Sequence, residues 1–82
     1  MRIAPADLEG ALESYGEAIT LATELGMTPL RAQCHLGLGR CYRHASRRQD
    51  ACAELSTAAD LFRALDMSNW LPRAESERRA CG

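Results

Sequence analysis

Apolar residues recur along this chain at steps of three and four. Leu8, Ala11, Leu12, Tyr15, Ala18, Ile19, Ala22 and Leu25 fall on one side of a 3.6-residue helix, with Glu9, Glu13 and Glu17 on the other. A second stripe runs through Cys34, Leu38, Cys41, Tyr42 and Ala45, interrupted by Gly37 and Gly39. A third passes through Ala51, Cys52, Leu55, Ala58, Ala59, Phe62 and Leu65. No alternation of period two occurs, so the pattern predicts an all-α chain.

The breaks between stripes carry helix start and stop chemistry. Gly26, ahead of Met27, suits a helix end, and Thr28-Pro29 supplies a capping hydroxyl followed by a proline fit for a first turn. Ser46-Arg47-Arg48-Gln49 has the spacing of a capping box. The spacing thus predicts helices from Pro5 or Ala6 to Gly26, from Pro29 to Ala45 and from Arg47 to Leu65. A short last helix follows, capped at Asn69 or later, because Pro72 fits only within its first turn. Ala74 continues an inward side there, but Arg78 and Arg79 occupy positions where a core helix wants apolar groups, so this helix reads as a cap. Gly37 and Gly39 each weaken their helix by roughly 1 kcal/mol relative to alanine, and the close approach of a neighbouring helix backbone is the expected compensation.

The pattern repeats. A slide of forty residues superposes Ala11 on Ala51, Tyr15 on Leu55, Ala18 on Ala58, Leu21 on Leu61, Leu25 on Leu65 and Met27 on Met67. A unit repeated at fixed period is the signature of an array in which each unit buries its face on the next. The chain divides accordingly into a lead-in at 1–5, the second helix of an incomplete repeat at 6–27, a complete helical hairpin at 28–67 and a short C-terminal or capping helix at 68–82.

Leu38-Gly39-x-x-Tyr42 followed by Ala51-x-x-x-Leu55-x-x-Ala58 resembles the tetratricopeptide repeat, and Ala11-x-x-x-Tyr15-x-x-Ala18 matches its second-helix pattern again. His35 stands where that family favours Trp or Leu, the repeat-ending proline is absent, and the spacing of forty exceeds the usual value of about 34. The resemblance implies antiparallel helical hairpins stacked as a fragment of a right-handed solenoid, about 1.5 to 2 repeats long. It also implies a protein-interaction or scaffold module without enzymatic activity. The family's concave groove is lined by the first helix of each repeat, which here puts Gln33, Leu36, Arg40, Arg43, His44 and Arg47 on the groove side. More narrowly, Glu24-Leu25-Gly26-Met27-Thr28-Pro29-Leu30 running into His35-Leu36-Gly37-Leu38-Gly39, then Leu61-Phe62-Arg63 and Trp70-Leu71, is similar to C-terminal repeat segments of bacterial signalling proteins. Those proteins join a class III cyclase domain to an AAA-type ATPase.

Charge sharpens this picture. The formal net charge is −1 over 82 residues, which excludes a strongly basic nucleic-acid binder. Its distribution is uneven: residues 1–30 carry −4, 31–48 carry +5, 49–66 carry −3 and 67–82 carry +1. The arginines of the middle stripe suit an acidic peptide or a terminal carboxylate, which paired N–H donors can grip, or else they balance acids on flanking helices. The uncovered side of the first helix favours self-association or docking on upstream repeats.

No apolar run reaches the 18 or more residues of a membrane span, and the N-terminus lacks the apolar core of a secretion signal, so a cytoplasmic location is expected. In a reducing compartment Cys34, Cys41, Cys52 and Cys81 should be thiols acting as small hydrophobes. Cys34, Cys41, His44 and Cys52 are the ligand set of an alternative reading, a thiol- or metal-responsive sensor. No C-x-x-C pair supports a structural metal, and no cofactor is expected. Nor does any glycine-rich loop or Ser/His/Asp arrangement suggest catalysis.

Overall fold

Three times the chain reverses through the same hydrogen-bonded turn. The computed structural model describes residues 5–81, with side chains over 8–80. They form α1 (Pro5–Glu24), α2 (Thr28–His44), α3 (Arg48–Ala64) and α4 (Leu71–Cys81), with no strand among the described residues. The lead-in of residues 1–4, Gly82 and the Cys81 side chain lie outside them.

After α1, α2 and α3 a residue takes up the left-handed conformation: Gly26 at φ 69°, Ser46 at φ 64° and Asp66 at φ 56°. Each turn is closed in the same way. The Met27 N–H donates to Ala22 O at 2.7 Å, Arg47 to Tyr42 O at 2.8 Å and Met67 to Phe62 O at 2.9 Å. A second bond in each turn runs from the left-handed residue back three positions: Gly26 to Thr23 O, Ser46 to Arg43 O and Asp66 to Arg63 O. This pairing satisfies carbonyls that a helix end would otherwise leave open. The residue after each turn then accepts the first bond of the next helix, through Met27 O, Arg47 O and Met67 O.

Two capping expectations are corrected by this geometry. Ser46 ends α2 in the left-handed region, and Arg47 holds the N-cap position of α3 with no side-chain cap bond. The expected Ser46–Gln49 capping box therefore does not form. Thr28 likewise lies inside α2, whose N-cap is Met27, again without a side-chain bond, while Pro29 sits in the first turn as its missing N–H allows.

The helices form a slab of 33 × 28 × 17 Å. α2 packs against α1 on one side and α3 on the other and touches α4; α3 packs against α4; α1 meets α2 alone. Because α2 is covered from several directions, Ala32, Cys34, Leu36, Leu38 and Gly39 are all buried along it, more than one stripe would bury. The main core joins Ala32 and Leu36 of α2, Ala51, Leu55, Ala58, Ala59 and Phe62 of α3, and Ala74 of α4. Phe62 stacks on Trp70 with ring centroids 5.8 Å apart, which ties the last turn to that core.

The two α2 glycines are explained by side chains, not by the backbone approach expected of them. A Cβ on Gly39 would overlap the Leu55 side chain of α3, and one on Gly37 would lie 2.5 to 2.6 Å from the Tyr15 ring of α1. Each glycine is a hole that receives a large residue from a different neighbour, which holds α2 between them.

Candidate functional site: the arginine face between α2 and α4

α2 carries arginines at three-residue spacing near its C-terminal end, where the chain's return through α4 brings an acid opposite them. Arg40 Nε lies 3.5 Å from Glu77 Oε1, and Arg43 Nη1 donates to Glu77 Oε2. One carboxylate thus bridges two guanidiniums. Beside it, Arg40, Pro72, Arg73, Ser76 and Glu77 line a shallow depression, and Arg43, Ser46, Arg48 and Ala80 line a second one further along. Arg73 lies over the Trp70 ring at 5.3 Å. The face is cationic, with the Glu77 carboxylate set among its arginines.

The six groove residues expected from the sequence do not form a single surface. Arg40 and Arg43 meet at Glu77, and Gln33 is half-buried on the same helix while His44 is exposed at its end. Arg47 turns away: its Nε pairs with Asp50 Oδ2 at 2.9 Å and its guanidinium lies over the Tyr42 ring at 5.5 Å. Leu36 corrects the expectation outright, because it is 3% exposed and belongs to the core with α3 and α4. Sequence reasoning missed Glu77, Arg73 and Ser76 by treating the last helix only as a cap. The alternation of arginine with glutamate and serine there was the available signal.

A second polar contact crosses the hairpin. His35 Nδ1 and Glu54 Oε2 lie 2.7 Å apart, both side chains mostly covered. His35 thus fills with a hydrogen bond the position where the resembled family favours an apolar group.

The sulfur and phenol groups are set by burial. Cys34 and Cys41 are free thiols whose pKa values burial pushes above the ordinary 9.0. Cys52 is disulfide-bonded, which corrects the expectation that it is a thiol and removes it from a ligand set with Cys34, Cys41 and His44. Among the described residues no group of three His, Cys, Asp or Glu side chains is placed to hold a metal ion. Burial also raises the Tyr42 phenol above its usual value, helped by Asp50 and Glu54 and opposed by Arg47. No helix among the described residues is long and apolar enough to cross a membrane.

No family model matches this chain, and comparison with curated proteins and with solved structures finds no similar one.

Proposed function

We propose that this chain is a protein-interaction or scaffold module of the tetratricopeptide kind, a short right-handed solenoid fragment that presents the arginine face of α2 to an acidic partner segment. The observation that supports the array most is the thrice-repeated turn. Gly26, Ser46 and Asp66 stand twenty residues apart, and at each the chain leaves one helix and enters the next through the same bonds. The same exit bonds recur at each turn, although the third connection runs on through residues 68–70 before α4 begins, and a recurring exit is what stacked helical hairpins of an array with an open concave side use.

The α2–α4 depression supplies the working surface. Glu77 occupies the space between Arg40 and Arg43, so the space has the size and charge for a carboxylate. An acidic peptide would compete with that carboxylate, so the internal contact sets the threshold for binding. Charge-assisted recognition of this sort weakens with salt.

The test is a titration of a fluorescent peptide of consecutive glutamates into the purified chain, read by anisotropy at low and high salt. The expected result is salt-sensitive binding that is lost in the Arg40→Gln/Arg43→Gln double variant and strengthened in Glu77→Gln, with circular dichroism showing all three still helical. Equal anisotropy for wild type, Glu77→Gln and the double variant would sink the reading.

A further inference from the structure

Beyond Glu77, toward the turn that joins α2 to α3, the arginine face ends in a cavity of about 200 Å³ lined by Arg43, Ser46, Arg48 and Ala80. No carboxylate lines it. Glu77 lines the neighbouring depression with Arg40 and Arg73, and Glu13, Glu17 and Glu24 line the shallow groove on α1. The cavity is smaller than the roughly 300–1,000 Å³ of sites that enclose a whole small molecule, so it suits a single group carried on something larger.

Its donors are open. Neither the Arg48 guanidinium nor the Ser46 hydroxyl has a hydrogen-bond or ion-pair partner among the described residues. Arg47, between them, is already committed to Asp50. Arg43 gives Nη1 to Glu77, but a guanidinium carries five N–H donors, so others remain. The three side chains are held in register by the turn: the Ser46 N–H donates to Arg43 O at 3.1 Å, and Arg47 O accepts the first bond of α3 from Ala51. Against the three charges of Arg40, Arg43 and Arg48 stands the single carboxylate of Glu77, so two positive charges are left over. A carboxylate neutralises one of them, a dianion both.

We propose that this cavity seats the phosphate monoester of a phosphorylated serine on the partner segment, gripped by Arg43 and Arg48 with the Ser46 hydroxyl as a third donor. The inference rests on the acidic-partner reading above and names the anionic group that reading left open. Near neutral pH a monoester carries about −1.5 to −2 charge and three acceptor oxygens, which match the two open charges and the three donor side chains. A glutamate brings one charge and two oxygens. Glu77 does not line the cavity, so a phosphate enters it without displacing that carboxylate from Arg40 and Arg43.

The test uses the full chain and three fluorescent Gly/Ser peptides, identical except for phosphoserine, glutamate or serine at the central position, compared by anisotropy and by amide shifts of the labelled protein. The phosphoserine peptide should bind at least about tenfold more tightly than the glutamate peptide and shift the amides of Ser46 and Arg48. That preference should be lost in Arg48→Gln, while the same variant binds polyglutamate with at most about a twofold loss, since an exposed pair contributes little. Ser46→Gly, which keeps the turn and removes the hydroxyl, should weaken the phosphoserine peptide alone. Circular dichroism confirms that both variants are helical. Equal binding of the phosphoserine and glutamate peptides overturns the proposal, as does a preference that survives in both variants. Inorganic phosphate that competes with the affinity of the peptide overturns it in favour of a free anion. If polyglutamate binds at Arg40 and Arg43 while phosphoserine binds no better than serine, this inference falls and the interaction-module reading stands.

Discussion

α1 and α3 are the same helix in pattern and opposites in circumstance. α3 lies between α2 and α4, buries Ala51, Leu55, Ala58, Ala59 and Phe62, and has a cation beside each of its acids. α1 lies against α2 alone, buries Leu8 and Ala22 among its described side chains, and leaves four glutamates unpaired among the described residues. An apolar stripe read from sequence therefore specifies which face a helix can bury, while the number of neighbours decides how much of it is buried.

The largest expected contrast is in core truncation. Phe62→Ala should destabilise the chain by about 3–5 kcal/mol, because the residue is fully buried and stacks on Trp70, whereas Leu25→Ala should stay within about 0.5 kcal/mol. Urea denaturation followed by circular dichroism measures both, and comparable losses would erase the distinction between covered and open helix.

Glycine replacement sharpens the comparison with opposite signs. Gly39→Ala puts a methyl into the Leu55 side chain and should destabilise by about 1–3 kcal/mol despite the better helix former. Gly16→Ala meets open space and should stabilise the isolated chain by about 0.5–1 kcal/mol. The turns offer a similar gain: Ser46→Gly relieves a left-handed non-glycine residue and should add roughly 1 kcal/mol, with a higher thermal midpoint as the readout.

The smallest effects concern protonation. Cys34, Cys41 and Tyr42 hold their protons more tightly folded than unfolded, so the unfolded chain releases them first as pH rises. Stability should be unaffected by these groups below the ordinary thiol value of 9.0 and should fall as pH climbs above it toward their raised folded values. Near neutral pH the two thiols should react slowly with a disulfide reagent until denaturant is added. Fast reaction of both in the native chain would contradict their burial.

Much of the architecture was legible in the residues. The three long stripes marked α1, α2 and α3, and the Gly26 end and the position of Pro29 followed from backbone chemistry alone. The capping box was not, because Ser-x-x-Gln also occurs where the serine closes the preceding helix, and the forty-residue comparison hid a twenty-residue recurrence of Gly26, Ser46 and Asp66. Leu36 was misplaced because a helix flanked on several sides buries positions that a single stripe leaves out. The meeting of Arg40, Arg43 and Glu77 depends on where α4 returns, which no local pattern encodes.

The asymmetry between α1 and α3 is tested most directly by native-state amide hydrogen exchange on the monomeric chain, resolved helix by helix. The account predicts that α3 and the centre of α2 exchange slowest and that α1 exchanges at least about tenfold faster, its loss of protection confined to the helix with one neighbour. Equal protection of α1 and α3 in a chain shown by sedimentation to be monomeric would contradict it, because α1 would then be held as firmly as a helix covered on both sides.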